Sequence, residues 1–106
     1  MSNSMGSQLI SNVFKALGHP IRIQIIKLLK DGELCVCDIL PNLDAEQSNT
    51  SQHLAVLKNQ SIVESRKEGS KVIYSIKHKE VYEMIDYAET IILRQIEDTK
   101  ESLLNK

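Results

Sequence analysis

The hydrophobic period of this chain changes partway along, and that change restricts the fold more than anything else in it. Through the first half, apolar residues recur at the spacing of helices, about 3.6 residues. Between Ile62 and Ile76 they alternate, which is the period of strands; from Glu80 the helical spacing returns. The alternating stretch divides into Ile62–Lys67 and Lys71–Ile76 around Glu68-Gly69-Ser70, a β-hairpin pattern. The predicted fold is mainly α with a β-hairpin wing.

The helices follow from the apolar positions. Gln8 to Leu17 carries Leu9, Ile10, Val13, Phe14 and Leu17, and Gly18 ends it. Residues 1 to 7 are expected to be frayed. Pro20 suits a first helical turn, and Ile21 to Lys30 follows with Ile21, Ile25, Leu28 and Leu29 on one side, closed by Asp31-Gly32. Glu33-Leu34 fits a very short strand and Cys35 to Leu40 a short helix, interrupted by Pro41 and Asn42. Asp44 with Gln47 fits a capping box for a helix reaching about Asn59. Glu80 to about Leu104 reads as one long helix with Val81, Met84, Ile85, Ala88, Ile91, Ile92 and Ile96 in a stripe. A chain of 106 residues is one domain. It offers too little core to cover that stripe, so the first and last helices are expected to pair with a second copy, residues 80–104 serving as the dimerisation helix. The order helix, helix, short helix, helix, hairpin, long helix is a winged helix-turn-helix over residues 1–106.

An α-helix fits the DNA major groove, with its N-terminal side chains at the base edges. Gln47, Ser48, Asn49, Ser51 and Gln52 are residues that bond bases or phosphates. A solvated helix face would look the same; the hairpin that follows, the short helix that precedes and Lys58 favour the groove. Thr50 fits an inward slot as well as an outward one. His53 fits a groove contact or a helix contact equally. Arg66, Lys67 and Lys71 near the hairpin tip would meet phosphates without reading sequence, although a charged tip also simply keeps a hairpin soluble. The formal net charge of -1 conceals a segregation: Lys58 to Lys79 is basic, and Glu80 to Glu101 is acidic. With one Phe, three Tyr and no Trp, a stacking platform for single strands is not expected.

Cys35 and Cys37 are the chain's two cysteines. No apolar run approaches the roughly 20 residues that span a bilayer, and the N-terminus lacks a signal-peptide layout. A cytoplasmic protein without a membrane partner is expected, where such cysteines are free thiols or metal ligands. Side chains two apart on a helix point about 200° apart, so sharing one ion requires the first turn of the short helix to unwind. Binding would then distort the helix that positions the recognition helix. The plainer reading makes one cysteine a core residue and the other incidental. No Gly-rich phosphate loop, nucleophile elbow or His–carboxylate cluster suggests an enzyme.

These residues resemble the ArsR/SmtB family of winged-helix repressors. Glu33-Leu34-Cys35-Val36-Cys37-Asp38 is similar to its metal box, and Ala16-Leu17-Gly18-His19-Pro20-Ile21-Arg22 to its helical start. Ser51-Gln52-His53-Leu54-Ala55-Val56-Leu57 is similar to its recognition helix, and Arg66-Lys67-Glu68-Gly69 with Val72-Ile73-Tyr74 to its wing. The resemblance spans roughly residues 8 to 100. It implies a homodimer that represses an operon by binding double-stranded operator DNA until an inducer releases it. Leu40 stands where arsenic-responsive members have a third cysteine, and residues 1 to 34 lack the N-terminal cysteines of cadmium- and lead-responsive members. His78, Glu80, Ile91 and Arg94 occupy the slots of the last-helix zinc site, which is therefore not expected. Cys35 and Cys37 are the carried-over ligands. The inducer order implied is As(III) or Sb(III), then Cd(II), Pb(II) or Zn(II), with a thiol redox or persulfide response through the same pair as the competitor. A winged helix used only to dock protein is the alternative of another class.

Overall fold

In a computed structural model, residues 3–44 and 47–105 are described. Five α-helices surround a three-stranded sheet: α1 Asn3–Leu17, α2 Pro20–Leu28, β1 Leu34–Cys35, α3 Val36–Ile39, α4 Gln47–Asn59, β2 Val63–Glu68, β3 Lys71–Ile76 and α5 Glu80–Leu104. Short 3-10 turns follow α2 and α3. This is the winged helix-turn-helix predicted from the changing period.

The differences from the sequence reading are local. Helix α1 begins at Asn3 rather than Gln8, so residues 3–7 are helical. Cys35 lies in β1 and caps α3 with an extended backbone (φ -75°, ψ 156°), so the short helix starts one residue later than predicted. The strand itself is shifted to Leu34–Cys35, and it joins the wing: the sheet order is β1-β3-β2, both pairings antiparallel. The Gln47 side chain of the proposed capping box lies outside the described residues.

The core forms where three helices meet this sheet. Ile25 and Ile26 of α2, Ile39 of α3, Leu57 of α4 and Val63 of β2 are fully buried. Truncating any one of these would cost about 2–5 kcal/mol, because the cavity left behind adds to the lost transfer energy. Tyr82 pins α5 to this core by donating its hydroxyl to the Ile26 carbonyl at 2.8 Å. Only the first turns of α5 are held: Val81 and Ile85 are buried, whereas Ile91, Ile92 and Ile96 are more than half exposed. On α1, Leu9, Ile10 and Phe14 are likewise exposed. The Cα radius of gyration is 16.9 Å, against about 13 Å for a compact chain of this length. The chain by itself is thus not closed around its apolar surface.

Two turns set the register of the reading elements. Gly69, with φ +60°, takes the first place of the two-residue hairpin loop, a left-handed conformation that costs glycine little. Between α4 and β2, Ser61 adopts φ 58°. The Ile62 amide donates to the Leu57 carbonyl at 3.0 Å and the Ser61 amide to that of Lys58 at 3.0 Å, a Schellman closure with a non-glycine residue in the left-handed slot. Replacing Ser61 with Gly is expected to raise unfolding free energy by about 0.5–1 kcal/mol, and Ser61→Val to lower it by more. Denaturant melts of the two variants check the sign.

Candidate dithiol site and nucleic-acid interface

The sulfurs of Cys35 and Cys37 meet because their backbones differ. Cys35 is extended at the end of β1, while Cys37 sits in the first turn of α3. The helical angle between adjacent-but-one residues therefore does not apply, and no turn need unwind. The structure joins the pair as a disulfide, with Cα atoms 5.2 Å apart. The expected free thiols are thus found coupled. Cys35 is buried and Cys37 exposed, so one sulfur anchors the pair and the other faces solvent. The Asp38 carboxylate completes a group whose ligand atoms lie within 4.8 Å of one another. Two soft sulfurs and one hard oxygen fit a thiophilic ion of low coordination number better than tetrahedral zinc. Among the described residues no histidine joins this group.

The dithiol segment is seated on the wing. Helix α3 packs mainly on β1, on the 3-10 turn after it and on β3. Cys35 pairs with Ile73 of β3, and Ile73 pairs with Arg66 of β2, so the three form one row across the sheet. Helix α4 instead packs on α2, α1 and β2.

Along α4, Thr50, Leu54 and Leu57 are buried and form the inner face. That settles Thr50 as an inward residue. Asn49, Ser51, Gln52 and Lys58 are exposed, with Ser51 and Gln52 on the side away from the core. The side chains of Gln47 and Ser48 lie outside the described residues. His53 is half-buried, and its ring lies 4.2 Å from that of His19, centroid to centroid. His19 caps α2, its Nδ1 accepting from the Ile21 amide at 3.1 Å. This placement gives His53 a helix contact while leaving its ring partly exposed. Sequence spacing alone did not join two histidines 34 positions apart, one the N-cap of α2 and the other midway along α4.

In the wing, Lys67 and Lys71 are exposed at the tip. Arg66 is engaged. Its Nη1 and Nη2 donate to the two carboxylate oxygens of Glu33 at 2.6 and 2.7 Å, and Nη2 lies 3.4 Å from Glu68. The bond from Arg66 holds the Glu33 carboxyl below its usual range despite some desolvation, and the Arg66 guanidinium is correspondingly raised. Arg66, for which a phosphate contact is expected on DNA, is held by a carboxylate in the DNA-free chain. Glu33 is a residue that the spacing arguments missed, because its partner is two strands away.

His53 carries a pH signature. Burial, then the nearby His19 and Arg22 charges, depress its pKa from 6.5. The proton is therefore bound more tightly in the unfolded chain. The contribution is fully present above pH 6.5, where His53 is neutral in both states, and is lost as pH falls through 6.5 toward the lower folded value. Unfolding free energy measured from pH 7.5 to 5 should decline less steeply in His53→Gln than in the parent chain. Equal slopes would show that His53 does not carry this dependence.

Comparison with known proteins agrees with this architecture. The description "Bacterial regulatory protein, arsR family" matches residues 19–65. An uncharacterized HTH-type transcriptional regulator of Methanocaldococcus jannaschii is 41% identical over 80 residues, covering 72% of this chain and 90% of the relative. The arsenical resistance operon repressor of Staphylococcus xylosus is 37% identical over 78 residues, covering 74% of this chain and 71% of the relative. Among solved structures, the homodimeric winged helix-turn-helix DNA-binding domain Mb0332 of Mycobacterium bovis, a possible ArsR-family regulator, superposes with a TM-score of 0.75 at 27% identity, covering 92% and 93% of the two chains.

Proposed function

The chain belongs to the arsR family of bacterial regulatory proteins, DNA-binding transcriptional regulators rather than enzymes, and from that premise we propose that it is a homodimeric repressor released from operator DNA by thiophilic chemistry at Cys35 and Cys37. The observation that carries the reading is the convergence of both sulfurs and the Asp38 carboxylate within 4.8 Å at the edge of the wing. In the reduced chain the two thiols displace two hydroxyls of arsenite. Two S–As bonds form, two As–O bonds break, and the thiol protons leave with the hydroxyls as two waters. Arsenic keeps its oxidation state and its third oxygen. Antimonite follows the same stoichiometry. The chain is similar both to a cadmium resistance regulator (39% identity) and to an arsenical resistance repressor (37%), so the order of As(III) or Sb(III) before Cd(II), Pb(II) or Zn(II) rests on the donor set alone, since two thiolates suit an ion that needs few ligands.

The coupled sulfurs favour one second reading, a redox or persulfide response in which the dithiol–disulfide change is itself the signal. Both readings use the same DNA face. Gln47, Ser48, Asn49, Ser51 and Gln52 at the start of α4 meet base edges, Lys58 and the wing cations Lys67 and Lys71 meet phosphates, and Arg66 joins them when freed from Glu33. His53 sets the seating of α4. The whole chain, residues 1–106, acts as one domain, with 80–104 as the dimerisation helix. No helix among the described residues is long and apolar enough to cross a membrane, in keeping with a protein that works on DNA in the cytoplasm.

The deciding experiment is a titration of affinity for a duplex from the gene's own upstream region. Arsenite, Cd(II) and an oxidant or polysulfide are added separately, with thiol state controlled. Release by arsenite from the reduced chain, abolished in Cys35→Ser, is the expected result. Release by oxidant alone in metal-free buffer transfers the function to the redox reading, and unchanged release in Cys35→Ser removes both. An unaltered migration of the duplex would leave a protein-docking module.

Dimerisation has its own test. The exposed faces of α1 and α5 and the extended shape call for a second copy. Ile92→Asp places a charge in that face, and sedimentation should show a monomer with DNA affinity lowered at least about tenfold, since two half-sites are no longer bound by one particle.

A further inference from the structure

We propose that Glu33 carries the state of the sulfur pair to the DNA-contacting wing by holding or releasing Arg66. The inference rests on the dithiol reading above and adds the route by which it reaches DNA. Strand β1 is two residues long, and one of them is Cys35. Glu33 precedes it directly. Alternation along an extended segment puts Glu33 and Cys35 on one face, and paired residues on neighbouring strands share a face, which brings Arg66 to that side as well. The Glu33 carboxylate then reaches over β3 and grips both Nη atoms of Arg66 at 2.6 and 2.7 Å.

An exposed ion pair of this kind adds little to stability. It does fix direction, because Glu33 occupies the Nη1/Nη2 edge of the guanidinium, the edge that would otherwise take a phosphate in bidentate fashion. A DNA phosphate and the Glu33 carboxylate are therefore rivals for Arg66. In this structure the sulfurs are joined and Arg66 is held by Glu33, so the two conditions occur together. Clamping Cys35 to Cys37 fixes the backbone of Cys35, with it the position of Glu33, and keeps Arg66 off the phosphates. Opening the sulfur pair frees β1 to shift and lets Arg66 go to DNA. Glu33 is thus a positioning residue, and the wing rather than the recognition helix receives the signal.

The test uses the full-length chain and the duplex from its own upstream region, reduced with a phosphine, with and without sodium arsenite. Arsenite binding is followed separately by thiolate–arsenic absorbance. In the parent chain arsenite should weaken DNA binding about tenfold or more. In Glu33→Gln that ratio should fall below about threefold while arsenite stoichiometry is unchanged, and the arsenite-bound dimer should gain about 1.8 in salt slope, the mark of one recovered phosphate contact per protomer. Arg66→Gln should also lose the ratio, and adding Glu33→Gln to it should change nothing further, as expected of two residues acting as one unit. Lys67→Gln should weaken DNA binding in both states and keep the ratio. If the parent chain ignores arsenite, the phosphine is removed and the same ratios are read with an azodicarboxamide oxidant, which accepts the two electrons and two protons that the thiols lose. A Glu33→Gln chain that retains the parental ratio overturns the route through Glu33 and leaves the dithiol function standing. A parent chain that binds DNA but responds to neither reagent overturns both.

Discussion

The extended backbone of Cys35 is the constraint on which the other features depend. With ψ at 156°, this residue ends β1, caps α3 and turns its sulfur toward Cys37. Were it the first residue of a regular helix, the sulfurs would diverge by about 200° and the pair would offer no common site. The same conformation lets Cys35 pair with Ile73, which enrols the dithiol segment in the sheet. The placement of the sulfurs and the geometry of the wing thus share one residue's torsion angles. The energetic cost is small, because a helix N-cap is ordinarily extended.

The molecule separates a tightly packed half from an unfinished one. The packed half holds α4 at a set angle through Thr50, Leu54 and Leu57, and any groove-reading role requires that rigidity. The unfinished half is the distal part of α5 together with α1. Their exposed apolar residues sit on elements already fixed to the core, α5 by the Tyr82–Ile26 bond. A second copy seated on that face would receive its orientation from the same core that orients α4. In such an assembly the distance between two reading helices is a property of the interface, and half-site spacing follows from it.

Polar residues here have two audiences. His53 and Arg66 both belong to segments that a DNA reading assigns to nucleic acid, yet both have protein partners: a histidine ring and a carboxylate. For His53 the partner buries it and makes it part of the joint between α4 and the α1–α2 corner. For Arg66 the partner is exposed, so the contact restrains without adding much stability. The difference between the two is burial.

The order of elements was legible from the sequence because the hydrophobic period changes where the chain changes from helix to hairpin, and such periods are local properties of the backbone. The basic tip, the polar face of α4 and the unpaired stripe of α5 were legible for the same reason. The early start of α1 was not, since the polar and small residues from Asn3 to Ser7 give no apolar signal. Nor was the meeting of the sulfurs: a pattern of two cysteines separated by one residue is compatible with helix or strand, and pairing with β3 selects the extended form. The partners of Arg66 and His53, Glu33 and His19, lie more than thirty positions away, beyond any local pattern. Sequence alone determined which elements form and which faces are apolar, because those depend on neighbours within a turn or two. Tertiary structure alone decided which side chains face each other, because that depends on how a sheet and helices distant along the chain close around one core.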